Sequence, residues 1–596
     1  MIRQRLERLR EQMRRRGIAI YLIPTSDYHN SEYVGEFFKA RKFMTGFTGS
    51  AGTAVVTLNA AGLWTDARYF LQAEMQLAGS GVTLYRMGEE NVPTIREFLE
   101  KELPEGGVIG FDGRVVSGKA GEEYLRIARK KNGSLYVKED LAGLIWEDRP
   151  PMSCAPIRVL EEQYTGKSAQ EKLLALRGVM REKGADVHLM ASLYDIAWLL
   201  NVRGGDISYV PVVLSYLALT QTECVWFVQE AALTQALREY LAQIGVTAQP
   251  YESFYEYCAA LDAKKTVLLD TSVVNYRICS SLPQSIPVLD EPDPTVLMKS
   301  VKNPVETANT RQAHIKDAVA VCRFMYWLKT NIGKIPMTEI SASDYLESLR
   351  RQQDGFLDLS FDTICGYAAH GAIIHYAATA QTDVPLKAEG LLLVDSGGHY
   401  LEGTTDITRT FALGPVSAEM KRDFTMVCRS MLHLMSAKFL YGCSGQNLDV
   451  LARGPFWERG LDYKHGTGHG VGHILNVHEG PNGFRWKVSA DRSESARLEE
   501  GMITTDEPGI YLEGKYGVRL ENELLCRRAE KNEYGQFMRF DTLTLVPIDL
   551  DALEPSAMNE NERACLNAYH QTVYETIAPH LNAQEAAFLK EYTRAI

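Results

Sequence analysis

The stretch LLLVDSGGHYLEGTTDITRTF, residues 391–411, decides how this chain is read. It opens as an apolar run with the character of a buried strand and ends that run on Asp395. A carboxylate closing a buried strand has to be paired, hydrogen-bonded or bound to a metal ion. Asp406 follows in TTDITRTF, which alternates polar and apolar residues as a strand does. The intervening GGHYLEG carries the glycines of a turn, so the two segments read as a hairpin that brings both aspartates together.

Further acids and a run of histidines lie downstream. MITTDEPGIY (502–511) places Glu507 at the end of an apolar strand before a Pro-Gly turn. In GVRLENELL (517–525), alternation sets Val518 and Leu520 on one face and Arg519, Glu521 and Glu523 on the other. Between these and the hairpin, KHGTGHGVGHILNVHEGP (464–481) holds His465, His469, His473 and His478, four of the thirteen histidines. Gly466, Gly468, Gly470 and Gly472 exclude a helix there. They suit an extended segment whose backbone can approach a ligand closely. No H-E-x-x-H motif occurs, which removes the zincin type of metalloprotease.

Taken singly, each acid reads as a solvated or salt-bridged residue, and the histidine run reads equally as a pH-sensitive loop. Taken together, two Asp, one His and two Glu at strand ends or on polar strand faces have a single chemical meaning. Crowded carboxylates repel and raise one another's pKa. Two divalent cations balance four carboxylates and a neutral imidazole, and oxygen-rich ligation favours Mn2+, Mg2+ or Co2+. Ions about 3.5–4 Å apart can hold a hydroxide nucleophile at neutral pH and polarise a carbonyl, so the expected chemistry is metal-assisted hydrolysis.

The remaining sequence bounds the architecture. At 596 residues the chain is too long for one core. Residues 1–150 begin with an amphipathic helix, then a strand-like GIAIYLIP. The glycines Gly46, Gly49 and Gly52 follow and read as a tight turn or bulge rather than a phosphate loop. EDRPPMSCAP (147–156) breaks the pattern. A second block, 151–300, repeats the helix–strand–helix–strand order, as a duplicated α/β domain would. After the linker VLDEPDPTVLMKSVKNP (288–304) comes a helix over Val305–Ile332, and the chemistry is concentrated beyond it. From about residue 531, DTLTLVPIDL (541–550) reads as a strand and ETIAPHLNAQEAAFLKEYTRAI (575–596) as helical.

A formal charge of -12 with no basic stripe argues against nucleic acid. No apolar run is long enough to span a bilayer, which argues against a membrane. The basic N-terminus has no apolar core and carries Glu7 and Glu11, unlike a targeting segment. Ten cysteines without a C-x-x-C pair fit reduced thiols in a cytoplasm.

The order Asp395, Asp406, His469, Glu507, Glu521 resembles that of the pita-bread metallopeptidases, the group of methionine aminopeptidase, prolidase, aminopeptidase P and creatinase. SFDTI, GAIIHY (371–376), the hairpin, the histidine run and TDEPGIYLEGKYGVRLENELL look like the long, three-domain form of aminopeptidase P. SEYVGEFFKARKFMTGFTGSAGTAVVT (31–57) and IAWLLNVRGGDISYVPVVLSY (196–216) are similar to its two N-terminal domains. The resemblance implies α/β and α+β architecture: two N-terminal mixed-sheet α/β domains (1–150 and 151–300), a pita-bread catalytic domain (301–530) and a C-terminal extension (531–596).

It implies cleavage of an N-terminal residue from a penultimate proline, with two divalent ions per subunit, manganese by family expectation, and a homodimer. Asp395 would chelate one metal, Asp406 and Glu521 would bridge both, and His469 and Glu507 would bind the second. Glu507 would also carry protons. His375 and His478 would hold substrate and stabilise the tetrahedral intermediate, while His465 and Arg519 would lie near the proline pocket. His370, His399 and His473 have no implied role and read as structural or surface residues.

Prolidase uses the same five ligands but normally has one N-terminal domain, so the block at 151–300 disfavours it. A non-catalytic binding protein on the same scaffold would have lost ligands, and all five are present. No G-x-S-x-G elbow supports a serine hydrolase.

Overall fold

The computed structural model describes residues 1–487 and 496–596. These divide into two compact units. The first comprises Met1–Glu161 and Lys167–Thr295, the second Glu162–Gly166 and Val296–Ile596.

The first unit contains two six-stranded mixed sheets. The helix Ile2–Arg15 packs on the first through Leu6, Leu9 and Met13, a three-and-four spacing that lines one helical face. That sheet consists of Ile20–Pro24, Thr53–Thr57, Ala61–Thr65, Thr83–Arg86, Val108–Gly110 and Ser134–Tyr136, lying in the order 4-3-2-1-5-6. Val187–Met190, Ser215–Thr220, Cys224–Val228, Thr247–Pro250, Val267–Leu269 and Val288–Asp290 form the second sheet in the same order. Both sheets pair 1-2 and 2-3 antiparallel and 3-4, 1-5 and 5-6 parallel. The repeated order of elements in the sequence is thus a repeated topology. Gly46 differs from its reading as a strand-entry turn, since it ends the helix Ala40–Thr45 in the left-handed conformation.

In the second unit every ladder among the described residues is antiparallel. The helices Pro304–Asn331, Glu339–Arg351, Ala418–Met435 and Gly445–Trp457 accompany the sheets. One core runs through the unit. It includes Phe324 and Met325 of the first helix, Leu392 and Phe411 of the sheet, and Leu566 and Val573 of the helix Glu560–Ile577. The C-terminal segment therefore shares the core of the unit. Its sheet also continues across residue 531, because Asn522–Asn532 pairs with Gly535–Thr542.

The strand expected over residues 541–550 ends at Thr542. Beyond it the backbone leaves the ladder: the carbonyls of Val546 and Pro547 accept from the buried Arg409 guanidinium instead. Among the described residues no helix is long and apolar enough to cross a membrane.

Candidate metal centre

Leu391–Ser396 lies between Ile364–Tyr367 and Ile407–Ala412, with Asp395 opposite Thr408. The expected turn between the aspartates is itself a small hairpin, Gly398–Tyr400 with Gly403–Thr404, and Asp406 comes just before the returning strand. The four-residue strand Ile503–Asp506 pairs with Asn522–Asn532 and delivers Glu507 at its end, where the Glu507 N–H donates to the Thr467 carbonyl at 2.8 Å. His469 occupies the middle of Gly468–Gly470, its N–H donating to Thr505 Oγ1 at 3.0 Å.

Two glycines of this run, Gly468 and Gly470, serve strand packing. A Cβ at Gly468 would stand 1.8 Å from the Thr505 carbonyl oxygen, and one at Gly470 would stand 2.1 Å from that of Glu479. They bring neighbouring strands close, where the sequence suggested close approach to a ligand.

The continuous strand expected over 517–525 is interrupted. Tyr516–Arg519 pairs with Gly509–Leu512, and the next strand starts at Asn522. The break leaves the Glu521 N–H donating to the Thr408 carbonyl at 3.0 Å. Arg519 and Glu521 still meet at one group: Thr408 Oγ1 accepts from Arg519 Nε at 3.2 Å and donates to Glu521 Oε2 at 2.7 Å.

Asp406, His469 and Glu521 each offer a ligand atom within 4.8 Å of the others. His469 Nε2 stands 3.4 Å from Asp406 Oδ2 and 3.4 Å from Glu507 Oε1. Asp395 is held differently, its Oδ2 accepting from Arg519 Nη2 at 2.6 Å while its buried Oδ1 has no hydrogen-bond partner. Burial, with Asp395, Glu507 and Glu523 as neighbours, pushes the Asp406 carboxyl well above the usual carboxylate range. Glu521 is raised in the same way by burial and by Asp406, Glu507 and Asp395.

An orphaned buried acceptor beside two destabilised carboxylates is a donor set short of positive charge, and divalent cations fit it. Arg519 supplies one cation that the count of ligands from sequence left out.

Around this cluster runs a directed hydrogen-bond chain. Arg519 Nη1 donates to the Tyr511 hydroxyl at 2.8 Å, and that hydroxyl lies 2.9 Å from His465 Nε2. With Arg519 donating, Tyr511 donates onward to Nε2, which leaves the His465 Nδ1–H for the Gly466 carbonyl at 2.7 Å. Burial, then Arg519, lowers the imidazole to about 3, so it is neutral at physiological pH. His375 is half-buried in the turn beside Ile374, whose carbonyl accepts from Arg519 Nη2 at 3.4 Å. His478 sets its ring edge-on to His469, with centroids 4.2 Å apart.

The three histidines without an implied role are all structural. His399 and His473 are buried, and His370 binds the buried Glu339 carboxylate at 2.9 Å. Sequence reading passed over Tyr511, Thr408 and Thr505. It also passed over the contacts of Glu523, whose Oε1 accepts the Asp406 N–H at 2.7 Å while Oε2 faces His314 Nε2 at 3.2 Å. Their only signal was polarity inside otherwise apolar strands.

Family models match this chain throughout. The creatinase/prolidase N-terminal domain matches residues 5–137 and 148–306, metallopeptidase family M24 matches 308–528, and the C-terminal region of M24 peptidases matches 536–596. A probable Xaa-Pro aminopeptidase P from Laccaria bicolor is 36% identical over 607 residues, covering 98% of this chain and 92% of the relative. Aminopeptidase P2 of Arabidopsis thaliana is 37% identical, covering 95% of this chain and 84% of the relative. The crystal structure of the X-prolyl aminopeptidase from Caenorhabditis elegans, described as a cytosolic enzyme with a di-nuclear active site, superposes with a TM-score of 0.95. It is 33% identical and covers 100% of both chains.

Proposed function

We infer the reaction from one premise: the chain belongs to metallopeptidase family M24, among relatives that are Xaa-Pro aminopeptidases. It is a metal-dependent exopeptidase that hydrolyses the bond between an N-terminal residue and a penultimate proline. The observation that carries this reading is the cluster of buried Asp406 and Glu521 with half-buried His469, the two carboxyls forced upward by burial and by their neighbours.

Asp395 would hold one divalent ion, Asp406 and Glu521 both, and His469 and Glu507 the second. When bound, the ions supply a Lewis acid and water activated at neutral pH. Glu507, steadied by Thr505 Oγ1 at 3.2 Å, takes the proton of the attacking water and passes it to the leaving nitrogen. That proton is needed because the nitrogen leaves as an amine and not as an anion. His375 and His478 donate to substrate and to the developing oxyanion.

His465 and Arg519 shape the proline pocket. A neutral imidazole between the rings of Tyr463 and Tyr511 offers a ring-shaped, largely apolar wall to a residue with no N–H to recognise. We further assign manganese as the native ion, in keeping with oxygen-rich donors. A cytoplasmic homodimer completes the proposal, and all ten cysteines are free thiols, as a reducing compartment requires.

The test is hydrolysis of Arg-Pro-Pro and of Ala-Pro by metal-stripped protein with and without Mn2+, beside Asp406→Ala. Release of free arginine that Mn2+ restores and the variant lacks is the expected result. Cleavage of the dipeptide alone would make it a prolidase, and no metal-dependent cleavage of either peptide would return it to a binding protein.

A further inference from the structure

Residues 471–479 lead from the strand Gly468–Gly470 into Glu479, the first residue of the strand Glu479–Phe484, through a loop that starts two positions after His469 and holds His478 at its end. Both of its ends meet one side chain. Lys302 Nζ donates to the Val471 carbonyl at 2.6 Å and to Glu479 Oε1 at 2.5 Å. The Lys302 and Glu479 side chains are 1% and 4% exposed. Lys302 itself stands on fixed backbone. It directly precedes Asn303, the capping residue of the helix Pro304–Asn331, and its N–H donates to the Gly501 carbonyl at 3.1 Å.

Within the loop, Ile474 takes a left-handed φ of 51°, with its N–H on Thr404 Oγ1 at 3.0 Å. The Asn476 amide donates to the His478 carbonyl at 2.8 Å. The backbone closes the base of the loop where Gly470 pairs with Glu479, and Lys302 adds the side-chain contact that fixes the Val471 carbonyl and the Glu479 carboxylate to one point.

We propose that Lys302 is a positioning residue for the reaction: its ammonium ties the entry of the 471–479 loop to its exit and so aims the His478 imidazole at the substrate. This rests on the role assigned to His478 above. A buried Lys–Glu pair is a poor source of stability, since apolar residues of similar volume commonly serve as well. What apolar residues cannot do is fix a carbonyl and a carboxylate at one point in space. Catalytic geometry depends on such fixing, because a displacement near 1 Å costs on the order of 100-fold in rate. His469 is also secured by Thr505 and by the pairing of its strand with Ile503–Asp506, neither of which involves Lys302, so metal binding does not depend on the tie.

The experiment uses the full chain in its metal-loaded form with Lys302→Met/Glu479→Met, which removes both charges together, and Glu479→Gln, which keeps shape and an acceptor. Each is combined with His478→Ala. We expect the double-methionine variant to lose about 10–100-fold in kcat on Arg-Pro-Pro. Its KM should move less than about threefold and its bound metal should be unchanged, with Glu479→Gln smaller in the same direction. Adding either change to His478→Ala should cost nothing more, since the tie acts through that ring. Amide exchange over 471–479 in the metal-free protein should quicken.

Losses that multiply with His478→Ala, or wild-type kcat in both loop variants, would overturn the proposal. A His478→Ala enzyme of normal kcat would instead overturn the role of His478 itself, a separate outcome.

Discussion

Replacing Arg409 with methionine should unfold the second unit at a markedly lower temperature. Arg409 is 1% exposed and donates to six acceptors. Nη1 reaches the carbonyls of Thr408 at 2.9 Å and Glu521 at 2.5 Å, both next to or part of the candidate metal cluster. Nη2 reaches Asn522 Oδ1 at 2.7 Å, the Val546 carbonyl at 2.8 Å and the Tyr569 hydroxyl at 2.9 Å. Nε reaches the Pro547 carbonyl at 3.3 Å. One side chain thus joins the strands that carry the candidate ligands to the C-terminal segment.

Methionine fills the volume and satisfies none of these groups. The Thr408 carbonyl keeps the Glu521 N–H and the Val546 carbonyl keeps the Tyr569 hydroxyl, so the Glu521 and Pro547 carbonyls and Asn522 Oδ1 are the groups that lose their closest donor. At about 1–3 kcal/mol each, that is about 6 kcal/mol at the middle of the range. Relief from burying a cation offsets part of this. For a unit of this size each kcal/mol is worth about 2 °C, so the Tm should fall by about 6–10 °C. The assay is thermal unfolding with and without Mn2+, paired with limited proteolysis, in which the helix Glu560–Ile577 should be cut first. A Tm within about 2 °C of wild type would refute the reasoning, because it would mean the six contacts are replaced without cost.

Two further outcomes follow from other contacts. Tyr511→Phe removes the hydroxyl between Arg519 and His465, and a charge-assisted hydrogen bond is worth about 1.5–3 kcal/mol. Its kcat/KM on Arg-Pro-Pro should therefore fall about 10–100-fold, mainly through KM, with metal content unchanged; unchanged kinetics would remove His465 from the proline pocket. In the first unit, burial lowers the His188 pKa, but Asp293 at 3.2 Å outweighs it and holds the folded value above 6.5. Burial likewise raises Asp293, and His188 outweighs that and holds it below 3.8. The raised histidine contributes stability that is complete below 6.5 and lost as pH rises through its folded value. The lowered aspartate contributes stability that is complete above 3.8 and lost as pH falls through its own. Support is thus greatest between about pH 4 and 6.5, so the Tm deficit of Asp293→Asn should be large near pH 5.5 and small near pH 9. An equal deficit at both would show that the pair is not ionic.

What the sequence determined by itself was local and periodic. Apolar runs closed by Asp395 and Glu507 announced buried carboxylates, because an unpaired acid in such a place is too costly to keep. The repeated helix–strand order announced the two equivalent sheets, because a chain segment that repeats its pattern buries the same faces. The tertiary structure decided what those signals could not carry. Nothing near Tyr511 indicates that its hydroxyl stands between Arg519 and His465, and nothing near Lys302 indicates that it meets Val471 and Glu479, more than 160 residues away. Gly517 looks like strand punctuation until the fold places the Gly371 carbonyl where its Cβ would lie, 1.8 Å away. Periodicity fixes which face a side chain takes, since that depends on backbone geometry within a few residues. The partner of a buried polar group depends on which distant strand or loop packs against that face. That choice is made by the whole core, and it is there that the candidate ligands gained their supports.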